Sequence, residues 1–445
     1  MSIIIERAQE KMPRNRERYQ RLLKDYGERP VTEAPLTVEN LLRGNRGVPA
    51  SLTDTSFVHP KEGLQFLGKT PCQEMVLQLA SVPEQAFWYM LLDDLPSTDE
   101  LNAFQRDLQA RARIPDYAWA VLDALPVDMH PMSQLQVVTN ALEGDAQFRL
   151  RYTNGMARHE HWRWMLEDGL DLIARLHQVA AAIYRRHFLQ ATRLRPDPTL
   201  DWAAQLVQML GVDDASGLLT AYMRQYVIIH ADHEAANASA NTAAIINSTL
   251  ATMASTLAGA FEALSGPLHG MANQDALGFI EGALAHFGRL PTTAEAEAYL
   301  HDFVAAGGIV PGFGHGQLRD LDARFVVLTA FLDQAPDMAR QHDAIACMRI
   351  FAEIGPSVLK QFPKIANPNP NIDFGSGAVL YGLGLTQRTF FTVLFCISRM
   401  WGVVAQAVRA RAELRPLVRP LSYTLDMVET AAVEGPQALR PYFTV

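Results

Sequence analysis

The chain has 445 residues, 49% of them apolar, and a formal net charge of −9 at pH 7. That length and apolar content allow two or three ordinary domains around a large core and exclude a disordered chain. The negative charge argues against nucleic acid as a partner, and it means that an anionic ligand must be held by a few placed arginines against the field of the whole molecule.

The cysteines are Cys72, Cys347 and Cys396. They show no CxxC spacing and cannot all pair, so they read as buried small residues in a reducing compartment. The start, MSIIIERAQEK, has neither the pattern of a signal peptide nor that of a convincing transit peptide, and a cytoplasmic location is expected. No apolar run reaches about 18 residues without interruption, so no membrane span is expected either.

In chain order, the first regular element is a small hairpin within SFVHPKEGLQFLGKT, 56–70, turning around Lys61–Gly63. Helical periodicity follows over 72–94 and 97–112. It resumes where Leu166, Leu170, Ile173 and Leu176 run into VAAAIYRR, and again over 202–212 and 215–228. IIHADHEAAN, 228–237, carries His230, His233 and Glu234. It lacks the HExxH spacing of a metal helix, so ligand contact by one histidine is expected rather than metal binding. RHEHW, 158–162, is read the same way.

The segment 241–264 is rich in Ala, Ser, Thr and Gly. It reads as one helix packed closely against a neighbour, inside the chain or across a subunit interface. SGPLHG, 265–270, breaks it at Pro267 and holds His269 on a turn. Helices are expected over 274–288 and 293–305. In IVPGFGHGQLRDLDAR, 309–324, Gly312, Gly314 and Gly316 free the backbone around His315. Arg319 and Arg324 follow and suit a phosphorylated or carboxylated ligand. Neither a P-loop nor a dinucleotide fingerprint is present.

After helices over 324–333 and 337–354, NPNPNIDFGSG, 367–377, is stiffened by alternating Asn and Pro and displays Asp373 at its end. A general base needs such fixed placement, although an aspartate in a turn also serves as a cap. The last long helix, 388–412, buries Arg399 among apolar residues. Either a buried acid or an anionic ligand must pair with it. Arg419 lies in a loop beyond that helix. Strand signals are otherwise scarce, and the fold class is all-α with a minor β hairpin.

Together the strings IIHADHEAAN, ALSGPLHGMANQDAL, IVPGFGHGQLRDLDAR, NPNIDFGSG and TVLFCISRMWGVVAQ resemble the signatures of the citrate synthase family, in its order and spacing, and nearer its mitochondrial type. LPVDMHPMSQL and WMLEDGLDLIARL extend the resemblance over nearly the whole chain. It implies a large helical domain formed by 1–269 and 376–445, with a small helical domain, 270–375, inserted. It implies a homodimer that condenses acetyl-CoA with oxaloacetate and needs no cofactor or metal.

His269, His315 and Asp373 would be catalytic. His233, Arg324, Arg399 and Arg419 would hold oxaloacetate, with Arg419 reaching the partner's site. Arg46, Arg158 and Arg319 would meet the CoA phosphates. The chain departs from the family at Ala323, where proline is usual, and at Gly375, where a larger side chain is common. Those departures leave open a 2-methylcitrate or alkylcitrate synthase using propionyl-CoA or a longer acyl-CoA. A non-catalytic paralogue that binds CoA or a dicarboxylate is the reading from a different class.

Overall fold

The computed structural model describes residues 2–33 and 35–443. It is all-α as expected, and its one sheet among the described residues is small: β1 (Ser56–His59), β2 (Gly63–Phe66) and β3 (Thr70–Pro71), antiparallel in that order. The hairpin has the expected place. Ser56 lies opposite Phe66 and His59 opposite Gly63, which takes φ +76° at the turn. β3 is the addition: Leu67 and Gly68, both at positive φ, turn the chain so that Thr70 pairs back onto Phe66.

The helices that position the site are α1 (Ile3–Tyr26), α2 (His161–Phe188), α3 (Leu218–Ala231), α4 (Ala238–Ser248), α5 (Met253–Ser265), α6 (Ala272–Phe287), α7 (Ala323–Gln334), α8 (Asp343–Leu359), α9 (Ile372–Gly382) and α10 (Phe391–Ala412). The centre of the molecule is α10, buried along nearly its full length. α2 and α3 pack on it. The approach of α2 is close because Gly169 presents no side chain: a Cβ there would sit 2.6 Å from Val404 Cγ1. Residues 388–412 are long and apolar enough to cross a membrane, but 94% of the apolar 18-residue window within them is buried inside the protein. Arg399 interrupts it, and α10 is a core helix.

Several elements differ from the sequence reading, each for a local reason. The segment 241–264 is two helices, α4 and α5, not one. Leu250 turns the chain at φ +66°, and Thr252 accepts a hydrogen bond from the Ser255 N–H, which starts α5 as an N-cap. The small residues do allow close packing, but of α5 on α4, where Gly259 admits the Ile246 side chain.

The expected 72–94 helix is broken at Ala80–Val82. Pro83 opens a new helix, and the residue before it is forced into the extended region, φ −138°, ψ 152°. α1 went unread because it is highly charged; only Ile4, Ile5, Ala8 and Met12 are buried along it. The Arg16 Nε–H donates to the Ala412 carbonyl at 3.0 Å, tying α1 to the end of α10. α9 was hidden by the prolines before it.

Candidate active site

The loop 310–316 and the segment 367–373 are far apart in sequence and joined in space. The Asn371 N–H donates to the Gly312 carbonyl at 2.8 Å, and the Gly314 N–H donates to the Asn367 carbonyl at 3.0 Å. Gly312 makes this possible: it has φ +79°, and a Cβ there would lie 2.5 Å from the Phe374 Cβ. Asn371 then caps α9, its Oδ1 accepting the Asp373 N–H at 2.9 Å. Asp373 is therefore the second residue of a helix, not the end of a loop. It is held beside the glycine loop that carries His315.

The two candidate catalytic histidines are each fixed in one tautomer. His315 Nδ1 accepts the backbone N–H groups of Gln317 at 3.1 Å and Leu318 at 3.2 Å. A ring nitrogen that accepts from N–H carries no proton, so neutral His315 has its proton on Nε2. His269 is the reverse. Its Nε2 accepts the Ser239 N–H at 3.3 Å, with the Ser239 hydroxyl at 3.0 Å. Its proton is on Nδ1. Burial, reinforced by Arg399, pushes His269 down to about 4. Burial, with Arg324 next, pushes His315 to about 4. Both are neutral near pH 7, and each has one N–H left to donate.

Asp373 moves the other way. Burial pushes its carboxyl up to about 6, against the pull of Arg324 and Arg399 and with a push from Asp322. A carboxylate in that range is better matched to take a proton near neutrality than an ordinary one.

Arg324 and Arg399 are both buried but differ in pairing. Arg324 has a carboxylate: its Nη2 lies 2.8 Å from Asp322 Oδ2. Asp322 also caps α7 through the Arg324 N–H at 2.9 Å and accepts the Ile372 N–H at 3.1 Å. It thus links Arg324 to the start of α9. The sequence reading missed Asp322, though an aspartate two residues before Arg324 at a helix start was a visible cap signal.

Arg399 has no carboxylate within ion-pair distance among the described residues. It donates only to neutral acceptors: the His230 carbonyl at 3.0 Å, Asn237 Oδ1 at 3.3 Å and Ser239 Oγ at 3.4 Å. Burial lowers it to about 10. His233 completes the group. Its ring centroid lies 5.7 Å from that of His315, and its buried Nε2 has no partner.

The structure therefore brings together His233, His269, His315, Arg324, Asp373 and Arg399. A cleft of about 860 Å³ opens beside them, lined by His315, Arg319 and Arg46 and walled by Ile309, Phe313 and Phe362. Lys364 also lines it; a lone lysine before the Asn–Pro run gave no sign of this. Arg158 does not line that cleft. It is exposed on the short turn before α2. Arg419 is exposed in the extended segment after α10, and no hydrogen bond or ion pair joins it to the site. No group of three or more His, Cys, Asp or Glu among the described residues is arranged to hold a metal ion. His230 Nδ1 is engaged by the Tyr226 carbonyl at 2.8 Å.

Gly375 does not open space for an acyl chain. A Cβ there would stand 3.0 Å from Phe325 Cε2 and 3.0 Å from Leu328 Cδ1, against α7. Gly375→Ala should therefore cost about 1–3 kcal/mol through overpacking. It should leave the ratio of rates with acetyl- and propionyl-CoA within twofold. Parallel melting curves and thiol-release assays would check this, and a shifted ratio in a stable variant would return Gly375 to the acyl pocket.

Comparison with known proteins places this geometry in a family. Residues 44–421 match the family model described as citrate synthase, C-terminal domain. The mitochondrial citrate synthase 4 of Arabidopsis thaliana is 35% identical over 428 residues, covering 95% of this chain and 89% of that protein. The mitochondrial 2-methylcitrate synthase of Yarrowia lipolytica is 35% identical over 429 residues, covering 95% and 91%. The same fold is seen in citrate synthase from the archaeon Thermoplasma acidophilum, solved as a ternary complex with carboxymethyl coenzyme A and oxaloacetate. It has a TM-score of 0.72 at 22% identity, over 86% of this chain and 95% of that one.

The expected cytoplasmic location is corrected to an organellar one, because relatives named with a compartment are mitochondrial or peroxisomal. Nor do the cysteines require the cytoplasm: all three are free and buried and fit any reducing compartment, an organellar matrix included. A family match over most of the chain and relatives at 35% identity over nearly all of it make this chain a member of the citrate synthase family.

Proposed function

We propose that this protein condenses acetyl-CoA with oxaloacetate and water to give citrate and CoA. The observation that carries the reading is the pairing of a raised carboxylate with two neutral histidines whose free N–H groups are fixed in advance. Asp373 takes a proton from the acetyl methyl group. The methyl is too weak an acid for a carboxylate alone, so the thioester oxygen must be stabilised as charge develops, and the His269 Nδ1–H is the donor for it. The enol carbon then attacks the oxaloacetate ketone. The His315 Nε2–H polarises that ketone and donates to the oxygen as the new carbon–carbon bond forms. Water cleaves the resulting citryl thioester and releases CoA. The reaction calls on no metal ion.

Arg399, Arg324 and His233 hold the two oxaloacetate carboxylates. Arg399 supplies an unpaired buried cation, and His233 an unsatisfied ring nitrogen. Arg46, Arg319 and Lys364 ring the cleft beside His315 and suit the CoA phosphates. The hinge between a large and a small domain falls in the turn 266–271 and after Gly382. The boundary expected at 375 lies inside α9, and a continuous helix is a poor hinge. Oxaloacetate-dependent thiol release from acetyl-CoA, with citrate identified as product, tests the reading. Absence of product with both substrates present at millimolar concentration would overturn it.

The remaining arginines, Arg419 and Arg158, lie outside the site of their own chain, and a homodimer with shared sites explains both. Arg419→Ala and Asp373→Ala should each be nearly inactive. When the two are unfolded and refolded together, half the dimers are mixed. One site in each mixed dimer carries both lesions and the other neither, so about a quarter of wild-type activity should return. If Arg419 served its own chain's site, no activity would reappear.

A further inference from the structure

His233 and His315 face one ligand from two loops, and the proposed chemistry depends on their separation. One hydrogen bond between side chains joins those loops directly: Gln317 Nε2 donates to Glu234 Oε1 at 2.5 Å. Glu234 follows His233 in the chain. Gln317 lies two residues after His315, and its own N–H is one of the two that hold His315 Nδ1. The same residue thus orients the His315 ring with its backbone and ties that backbone to the His233 loop with its side chain.

Glu234 is built as a fixed post. Its backbone is in the left-handed region, φ +52°, unusual for a residue with a side chain. Three attachments hold it there. Its N–H donates to Ser56 Oγ on β1 at 2.7 Å. Its carbonyl accepts from Asn237 Nδ2 at 2.9 Å and from Gln406 Nε2 of α10 at 3.4 Å. The residue is buried, and no cation lies within ion-pair distance of its carboxylate among the described residues. Its carboxylate therefore serves no salt bridge among the described residues; it reaches across to Gln317.

On the other side, His315 sits where the chain passes between two supports. Residues 312–314 are bonded to 367–371, and the Arg319 N–H is bonded to the Pro60 carbonyl at the hairpin turn. In the stretch between them His315 is half-buried and flanked by glycines, Gly316 and Gln317 are exposed, and Leu318 is buried.

We propose that Glu234 is a positioning residue that acts through Gln317 to hold His315 at the right separation from His233 for the keto acid, and so sets oxaloacetate binding. The inference rests on the function proposed above and adds a residue to it. What Glu234 provides is an acceptor at a fixed point, and its negative charge is not required.

The test uses four variants of the full-length protein: Gln317→Leu, Glu234→Leu, Glu234→Gln and the double leucine variant. Gln317 is exposed, so Gln317→Leu should fold, with a melting temperature lowered only modestly by the Glu234 carboxylate left without its partner. Its KM for oxaloacetate should rise about tenfold, in line with one lost hydrogen bond to a charged group. The KM for acetyl-CoA should stay within twofold. Glu234→Leu should show the same split, and the double variant should be no worse than either single one, because one bond is removed in each. Glu234→Gln keeps an acceptor oxygen and should recover most of the affinity.

Binding of oxaloacetate alone, followed by calorimetry, should reproduce the order. An unchanged oxaloacetate KM in Gln317→Leu would overturn the proposal. So would equal rises in both KM values, which mark general loosening. A wild-type protein that forms no citrate would instead overturn the function itself, and the two failures are distinct.

Discussion

Asp373→Asn should lower kcat roughly a thousandfold, the middle of the range for removing a positioned general base. Binding should survive, because the amide keeps the shape of the side chain and the Asn371 cap acts on the Asp373 backbone N–H. In the wild-type enzyme the base works only when ionised, and burial raises it to about 6. Below that pH, kcat/KM should fall by about tenfold per unit as the proton is retained; above it the profile should level off. The variant's residual rate should lack that limb.

Stability should move the opposite way from activity. The folded chain holds the Asp373 proton more tightly than the unfolded chain does. Stability is therefore lost as pH rises from the ordinary carboxylate range through about 6 and the charge forms in place. The amide has no charge to bury. Asp373→Asn should melt above wild type at pH 7, with the gap closing near pH 4. A variant that turns over at near-normal rate, or that melts below wild type at pH 7, would remove Asp373 from the role of a buried base.

The second large effect separates the two buried arginines. Arg399→Met should weaken oxaloacetate binding by about 3 kcal/mol, more than a hundredfold, because the ligand carboxylate then enters a desolvated site unpaired. The protein without ligand should melt near the wild-type temperature. Arg399 has only neutral partners, and burial already disfavours its charge, lowering it to about 10. Arg324→Met should weaken binding similarly but also destabilise the fold by about 3–5 kcal/mol, because it leaves the buried Asp322 unpaired. Equal melting temperatures for the two variants would mean that Asp322 does not depend on Arg324. Differential scanning with and without oxaloacetate reads both quantities in one experiment.

Much of this site was legible in the chain, and the reason is chemical. His269 and His315 stand on turns punctuated by Pro and Gly, and Asp373 opens a helix directly after an Asn–Pro run. Such residues signal fixed backbone without any knowledge of what lies across from them. Arg399 announced itself because a guanidinium inside an apolar helix demands an explanation.

The partners were not legible, because partnership is a tertiary fact. Gln317 and Lys364 matter through what they face, and Asp322, legible as a helix cap, gave no sign that it would pair with Arg324 and reach the Ile372 N–H. Gly375 misled for the same reason. A glycine beside Asp373 reads as room in the site, whereas the helical turn points it at Phe325 and Leu328. The single helix expected over 241–264 failed because Thr252 is a better cap than a helix interior, and composition averaged over 24 residues hides one cap.

The central helix α10 has a further consequence, for synthesis of the protein. α2 and α3 close their apolar faces on a segment that leaves the ribosome only after about 200 further residues have followed α2, so this core cannot be completed until that segment has been made. Until then the helices already made wait with exposed hydrophobic surface, a state that invites aggregation and chaperone capture. The late segment is itself greasy enough to be mistaken for a membrane anchor, and Arg399 near its middle opposes insertion into lipid. The buried arginine proposed to receive the substrate's charge thus also discourages mistargeting of the newborn chain.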